Sequence, residues 1–160
     1  MFDQVYDDVY VGDKEALMNQ DAVQREGINV IVRLDQIPRS RYQWSEDFTL
    51  LDMPIPDEQF IDGEVIDTIT AFIDKHVEAG YKILVHCHMG ASRSVSMVMA
   101  YLIAYEGMTL GEAFGIVREG RPIAYPHEML LVSLIDHYKL PYDISKVYNP
   151  QFLAALVVDV

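Results

Sequence analysis

The segment from Ile83 to Ser94, Ile-Leu-Val-His-Cys-His-Met-Gly-Ala-Ser-Arg-Ser, constrains the fold more than any other part of the sequence. Its aliphatic start predicts a buried strand over Ile83–Val85, and the apolar run after it predicts a helix over Arg93–Tyr105. The small residues between them favour a tight loop. We therefore predict a strand, a compact loop and a helix in direct succession, with the loop at the carboxyl edge of a sheet.

Such a loop suits an anion, because a helix N-terminus presents unpaired N–H groups and the positive end of the helix dipole. Its small residues let successive N–H groups converge on one point. Arg93 adds a permanent charge whose planar guanidinium can bind two phosphate oxygens. The predicted substrate-binding residues are His88, Met89, Gly90, Ala91, Ser92 and Arg93.

Cys87 is the only cysteine in the chain and directly precedes this loop. A helix N-terminus and a neighbouring arginine favour the thiolate form of a cysteine, which is the nucleophilic form. A thiolate beneath a bound phosphate is placed to attack phosphorus and form a cysteinyl-phosphate without a metal. Ser94 is placed to donate a hydrogen bond to the sulfur and stabilise it as a leaving group.

Two other interpretations of this segment exist. A lone cysteine is often a small buried hydrophobic residue, but here the strand, loop, arginine and helix all serve one anion. Zinc is a second possibility because His86, Cys87 and His88 are common ligand types. No second cysteine or paired histidine cluster accompanies them, so we expect neither a metal nor another cofactor.

The charge balance limits the partners. The chain of 160 residues carries 12 basic and 25 acidic residues, for a formal net charge of −13. This balance argues against nucleic acid and anionic membranes as partners and favours substrates with basic flanks.

The single cysteine excludes an internal disulfide. With no leader-like start and no long apolar run, we expect an intracellular, reducing, cytoplasmic setting. The oligomeric state stays open.

Elsewhere strands alternate with helices, which is typical of an α/β fold, and the length fits one domain. The predicted strands are Val5–Val11, Asn29–Leu34, Phe48–Met53 and Ile83–Val85. The predicted helices are Lys14–Glu26, capped by Asp13 and closed by Gly27; Gly63–Ala79, ended by Gly80; Arg93–Tyr105; one from Thr109 with Glu112 at capping-box spacing; and one with Pro126 at its first position that reaches Tyr138.

His-Cys-x5-Arg-Ser after a strand resembles the signature of the cysteine-dependent protein phosphatases, and the flanking segments resemble the dual-specificity phosphatases among them. The flanking segments are Val9–Asp13, Gly27–Ile31, Met53–Asp57, Ala100–Ile103, Val117–Arg118 and Arg121–Pro122. The resemblance covers roughly Val5 to Tyr138. It implies a protein tyrosine phosphatase-like fold: a single α/β domain over residues 1–140, with a central, mostly parallel sheet flanked by helices. Residues 141–160 would form a tail packed on it.

The resemblance also implies site roles. Cys87 would be the nucleophile, Arg93 the phosphate clamp, and the loop amides the transition-state cradle. Asp57 lies 30 residues before Cys87 on a loop bracketed by prolines and would act as general acid, then base. Asp52, Glu58 and Asp62 are neighbours of the same type, and an exposed turn carboxylate is the other interpretation of Asp57. His86 would brace the loop, while His88 and Ser92 would shape its mouth.

The sequence departs from the family pattern at two places: Arg33-Leu34 stands where Asn-Leu is usual, and Pro126-His127 where many members have Asn after the proline. Both positions are expected to affect local packing. Arg121 is expected to pair with an acidic neighbour rather than a second phosphate. No basic docking segment precedes the domain, which favours a small stand-alone enzyme.

We therefore expect a metal-independent phosphoprotein phosphatase that hydrolyses phosphotyrosine and phosphoserine or phosphothreonine. The loop has no lysine, which disfavours polyphosphorylated lipids and RNA 5′-triphosphates. A non-catalytic phosphate-binding relative and a rhodanese-like sulfurtransferase remain as alternatives; sulfur transfer needs neither Arg93 and Ser94 nor a separate acid. The apolar tail from Leu140 to Val160 is either a packed strap or a self-association surface, and packing is favoured.

Overall fold

The computed structural model describes residues 1–42 and 46–158, so the last two residues of the predicted tail lie outside the described part. Within it, five strands form one sheet in the order β1-β2-β5-β3-β4. The strands are β1 Phe2–Tyr6, β2 Val9–Gly12, β3 Ile28–Arg33, β4 Thr49–Asp52 and β5 Lys82–His86. All neighbouring pairs are parallel except β1 with β2. The predicted α/β class and mostly parallel sheet are therefore confirmed.

The prediction of one strand over Val5–Val11 is wrong, because the chain reverses there. Tyr6 pairs with Val9 in an antiparallel hairpin, and Asp7 in the turn has a φ of 44°. Aspartate tolerates this left-handed conformation better than most residues, which permits so tight a turn without glycine. The hairpin adds β1 as an antiparallel edge strand.

The described residues contain seven α-helices and two short 3₁₀ turns, Arg39–Arg41 and Ile144–Lys146. The helices are α1 Lys14–Met18, α2 Gln20–Arg25, α3 Gly63–Glu78, α4 Arg93–Glu106, α5 Leu110–Gly120, α6 Glu128–Tyr138 and α7 Phe152–Val158. Asp13 caps α1 through its side chain, and Thr109 with Glu112 forms the predicted capping box of α5. None of the helices in this described part is long and apolar enough to cross a lipid bilayer.

Two helix predictions need correction. The helix predicted over Lys14–Glu26 is broken at Asn19, whose φ of −122° and ψ of 65° are not helical, so α1 and α2 are separate. Pro126 is not the first residue of α6, because His127 caps this helix by accepting a hydrogen bond at Nδ1 from the Met129 amide. Pro126 therefore lies one residue before the cap.

The two faces of the sheet are buried in different cores. Along β5, Ile83 and Val85 lie in the larger core, and Leu84 lies in a smaller one with Leu17 of α1. This alternation follows from strand geometry, and both faces must be covered in a parallel sheet. Because α4 is buried over residues 93–102, the junction of β5 with α4 lies in the middle of the molecule.

The C-terminal segment contributes side chains to the larger core. Val147, Leu153 and Leu156 are buried there, and α7 packs against α5. Buried aliphatic area of this kind stabilises the folded state by about 25 cal/mol per Å². Residues up to Leu156 are therefore part of the packed structure.

The contribution of the tail to stability can be measured with two neighbouring residues of α7. Leu156→Ala should lower the free energy of unfolding by about 2–5 kcal/mol, because it leaves a cavity at a site only 1% exposed. Val157→Ala, at a site 44% exposed, should change it by less than about 1 kcal/mol. Urea denaturation of both variants makes the comparison. A loss of less than about 1 kcal/mol in Leu156→Ala as well would show that α7 does not stabilise the domain.

Candidate active site

Cys87 lies at the carboxyl end of β5, immediately before the loop that opens α4. Its amide donates to the Gly12 carbonyl on β2 at 3.2 Å, which holds it at the sheet edge. Its sulfur is 3.1 Å from the Ser94 Oγ and accepts from the Gly90 amide at 3.3 Å. Two hydrogen-bonding groups therefore converge on Sγ at a helix N-terminus, which stabilises negative charge on sulfur.

The loop is held from outside through its carbonyl oxygens. Four successive carbonyls accept hydrogen bonds from other segments. These bonds are Lys14 N to His88 O at 3.1 Å, Arg121 Nη2 to Met89 O at 3.4 Å, Arg121 Nε to Gly90 O at 2.6 Å, and Tyr125 N to Ala91 O at 2.7 Å. Carbonyls that are turned outward leave the amides of the loop to face inward, which is the geometry of an anion-binding nest.

Gly90 is the residue of the loop that no side chain can replace. Its φ is +66°, and a Cβ built there would lie 2.5 Å from Arg121 Nη2 and 2.8 Å from the Gly12 carbonyl oxygen. Glycine is required both for the left-handed backbone and for the close approach of β2 and Arg121.

Arg121 is the buried cation behind the loop. Its Nη1 lies 2.8 Å from the Asp3 carboxylate of β1, and its Nη2 lies 3.8 Å from the Asp13 carboxylate. The predicted pairing with an acidic neighbour is confirmed. The two carbonyls that Arg121 also binds make it a brace that ties the loop to the N-terminal hairpin.

Arg93, the first residue of α4, has a side chain that is only 6% exposed. Its Nη1 donates to the Ile55 carbonyl at 3.1 Å, which fixes the guanidinium beside the Pro54–Asp57 turn. Among the described residues its Nε has no hydrogen-bond partner. A buried N–H without a partner is costly, so this donor is best explained by a ligand that completes it.

Asp57 faces Arg93 across the site. Its Oδ1 lies 3.7 Å from Arg93 Nε and accepts a hydrogen bond from the Glu58 amide at 3.0 Å. Its side chain is 47% exposed, so it can exchange protons with solvent. Cys87, Arg93 and Ser94 thus lie within one stretch of eight residues, and the structure brings Asp57, from a separate segment, opposite Arg93.

His86 lies beneath the loop and is fully buried. Its Nδ1 is 3.3 Å from the Cys87 carbonyl and 3.8 Å from the carboxylate of Asp35, which is also fully buried. Burial lowers the pKa of His86 to about 4, and the Asp35 charge offsets this only in part. His86 is therefore neutral near pH 7 and lies against the backbone of the nucleophile.

Asp35 belongs to a buried charged cluster that the sequence analysis missed. Arg33 pairs with Asp35 through Nη1 and with Asp52 through Nε at 2.9 Å, and the Tyr42 hydroxyl donates to Asp35 at 2.6 Å. Arg33, which stands where the family pattern has asparagine, thus forms ion pairs in this protein. Arg33 and Asp35 are two residues apart, but Asp52 and His86 join them only after β3, β4 and β5 align.

The rim of the site consists of more exposed residues. His88 is half-buried, and the Met89 side chain is 65% exposed and lies outside the cradle. Ser92 accepts at Oγ from the His127 amide at 2.9 Å, so it ties the loop to α6. A cleft of about 230 Å³ adjoins the loop here, lined by Asp57, Glu58, Ser92, Tyr125, His127 and Glu128. No three His, Cys, Asp or Glu side chains in the described residues form a group that could hold a metal ion.

Substitution at Gly90 tests the nest. Gly90→Ala should abolish the binding of inorganic phosphate, because the added methyl would overlap Arg121 and β2. Gly107→Ala is the matched control, since Gly107 has a φ of +69° and a Cβ added there would have nothing within 4 Å. It should cost only the backbone strain, about 1 kcal/mol, and keep phosphate binding. Calorimetric titration with phosphate measures both; retained binding in Gly90→Ala would contradict the nest.

The neutral buried His86 predicts a pH dependence of stability. Between about pH 6.5 and 4 the unfolded chain binds a proton at this residue that the folded chain does not, so stability falls as the pH falls. The loss should reach roughly 3 kcal/mol at the acid end. His86→Asn should show a flatter profile of unfolding free energy over this range. NMR titration of the His86 ring measures its pKa directly. An ordinary histidine pKa would refute the prediction that burial lowers it.

One protein family matches most of this chain. The family described as "Dual specificity phosphatase, catalytic domain" matches residues 9–140. "Dual specificity protein phosphatase 1" of Arabidopsis thaliana is 31% identical over 129 residues, which are 80% of this chain and 64% of that protein. The chain thus spans less than two thirds of this relative. "Dual specificity protein phosphatase 14" of Homo sapiens is 28% identical over 98% of this chain and 79% of its own length.

Solved structures agree on the fold. A mouse putative dual specificity phosphatase complexed with zinc tungstate superposes with a TM-score of 0.77 at 25% identity, over 89% of this chain and 93% of that chain. The family match over residues 9–140 includes both the loop after Cys87 and Asp57.

Proposed function

Because this chain belongs to the dual specificity phosphatase catalytic-domain family, we propose that it is a metal-independent phosphoprotein phosphatase that acts on phosphotyrosine and on phosphoserine or phosphothreonine. Two observations carry this proposal: the Cys87 sulfur contacts the Gly90 amide and the Ser94 hydroxyl, and the buried Nε of Arg93, which has no hydrogen-bond partner among the described residues, lies 3.7 Å from Asp57. Phosphoryl transfer requires these three groups: a nucleophile, donors that bind the phosphate oxygens, and a cation that stabilises their charge.

In the first step, the Cys87 thiolate attacks phosphorus, so that an S–P bond forms while the bond from phosphorus to the substrate oxygen breaks. The inward amides of the loop and Arg93 stabilise the charge on the equatorial oxygens. Asp57, 3.7 Å from Arg93, gives its proton to the leaving oxygen. The product alcohol or phenol then departs.

In the second step, water attacks the cysteinyl-phosphate, and Asp57, now ionised, accepts a proton from that water. The S–P bond breaks and sulfur leaves as a thiolate. Ser94, 3.1 Å from Sγ, donates a hydrogen bond to it and lowers the cost of the developing charge. Inorganic phosphate is released, and neither step requires a metal.

Residues 1–140 form the catalytic domain, and residues 141–160 form a tail that belongs to the same folded unit. His86 supports the loop without exchanging protons with substrate. A reducing, cytoplasmic setting suits a thiolate nucleophile, and the net charge of −13 disfavours nucleic acid and anionic membranes as partners.

A structure of a relative that contains an oxyanion supports the proposal that the loop binds phosphate. The mouse relative was solved with zinc tungstate, and tungstate is a tetrahedral oxyanion of the same shape class as phosphate. The two alternative functions gain no support from the site. A protein that only binds phosphate does not need Asp57 opposite Arg93, and sulfur transfer does not need a general acid.

The nucleophile is tested with a chromogenic aryl phosphate in excess chelator. Cys87→Ser should abolish turnover and keep phosphate binding, because the cradle is intact. Arg93→Ala should lose both, because a buried cation is removed from the cradle. Undiminished turnover in folded Cys87→Ser would refute the cysteinyl-phosphate.

The general acid is tested with a series of aryl phosphates of increasing leaving-group pKa. Asp57→Asn should slow hydrolysis by about 10²–10⁴-fold for the poorest leaving groups and much less for the best, because only poor ones need a proton. Asp62→Asn is the control, an exposed aspartate five residues further along the same segment. A steeper leaving-group dependence in Asp62→Asn than in Asp57→Asn would overturn the assignment.

A further inference from the structure

The cleft beside the phosphate loop is continuous with the proposed catalytic centre. Ser92 and Asp57 line it on one side, and Tyr125, His127 and Glu128 line it at the start of α6. Its volume of about 230 Å³ would hold roughly seven water molecules at about 30 Å³ each, which is the scale of one long side chain. A residue next to a phosphorylated residue in the cradle would therefore enter this cleft.

The walls of the cleft are acidic, and in the described part of the chain two of the three carboxylates have no arginine or lysine paired with them. Arg93 lies 3.7 Å from Asp57 and partly balances it. Glu58 and Glu128 have no such partner among the arginine and lysine residues of the described ion pairs. The cleft therefore attracts positive charge.

His127 does not cancel this charge. Its Nδ1 accepts a hydrogen bond from the Met129 amide at 3.1 Å, so the ring proton is at Nε2. That nitrogen lies 3.2 Å from the Glu128 carboxylate. A neutral ring that donates in this way orients Glu128 and leaves its negative charge in place.

The described residues of the cleft do not form a group that suits a metal ion. In the described part of the chain no group of three His, Cys, Asp or Glu side chains is close enough to hold one. Carboxylates that line a cleft without converging suit a cation that is long and has its charge spread over several donors.

Tyr125 supplies a flat surface at the same place. Its side chain is 60% exposed, and its amide is fixed to the Ala91 carbonyl at 2.7 Å. The ring is thus an exposed aromatic surface anchored to the phosphate loop. Guanidinium groups stack on such rings.

The unpartnered Nε of Arg93 is an independent sign of a ligand. This side chain is 6% exposed, and its Nε faces Asp57 on the wall of the cleft. A phosphate that completes this donor fixes the phosphorylated residue at the end of the cleft, so the neighbouring residue of the peptide has a defined place to lie.

We propose that this cleft is the subsite for an arginine or lysine side chain that flanks the phosphorylated residue, so the preferred substrates are phosphopeptides with a basic neighbour. This inference rests on the proposed function. Glu58 and Glu128 pair with the cation, and Tyr125 stacks on it. An acidic neighbour is repelled from the same cleft.

The experiment compares three phosphotyrosine peptides that differ only in the residues on either side of the phosphotyrosine: arginine, citrulline or glutamate. Citrulline keeps the shape of arginine and removes its charge. The ratio of kcat/KM for the arginine peptide to that for the citrulline peptide should be about tenfold, the size expected of two exposed ion pairs and one cation–aromatic contact. The glutamate peptide should be the poorest.

Substitutions of the glutamates test whether the preference for arginine comes from this cleft. The double variant Glu58→Gln, Glu128→Gln should reduce the arginine-to-citrulline ratio to near one, and Glu128→Lys should favour the glutamate peptide. Glu78→Gln is the matched control: Glu78 is exposed at the end of α3, just before β5 starts, and so lies at the opposite edge of the sheet from Cys87. This control should keep the parent ratio, which shows that total charge is not the cause.

Failure of this inference is distinguishable from failure of the proposed function. If the parent protein hydrolyses an aryl phosphate but treats the three peptides alike, or if Glu78→Gln changes the ratio as much as the double variant, the subsite is refuted. If the parent hydrolyses no phosphate ester, the proposed function fails. Peptide binding to Cys87→Ser then still decides whether the cleft prefers arginine over citrulline.

Discussion

The geometry of the site depends on four hydrogen bonds that hold the carbonyl oxygens of the loop between β5 and α4 away from the space beside Cys87. Backbone carbonyls repel anions, so a loop can bind phosphate only if its carbonyls have other partners. Arg121 supplies two of these bonds and is itself neutralised by Asp3 and Asp13. Gly90 permits the close approach that this brace requires.

The buried arginines around the site have two different roles: some hold the backbone in place, and one faces the site. Arg121 with Asp3, and Arg33 with Asp35 and Asp52, are paired groups that fix the backbone. A fully buried pair such as Arg33 with Asp35 contributes little net stability, but removal of one partner is costly, so the pair specifies the local geometry more than it stabilises the fold. Arg93 differs, because its Nε has no hydrogen-bond partner among the described residues and faces the site.

The sequence predicted the features that are encoded locally. The strand–loop–helix around Cys87 and the helix α3 follow from apolar periodicity and small residues within one short window. The β1–β2 turn was missed because its Asp7-Asp8 lacks the glycine that usually marks a hairpin, and the break at Asn19 was missed because the apolar pattern continues across it. The Asp35–His86 contact and the cleft at Tyr125 were not predictable, since their residues are far apart in sequence and meet only in the folded chain.

The bond from Arg121 to Asp3 joins residues 118 positions apart. Closing so long a stretch of chain costs conformational entropy that other interactions must offset. The loop around Cys87 is complete only when both strands of the N-terminal hairpin and the segment after α5 have docked. A nascent chain that has not yet exposed residue 121 therefore lacks the brace behind Gly90, so the loop geometry around Cys87 is a property of the finished fold and reports on it.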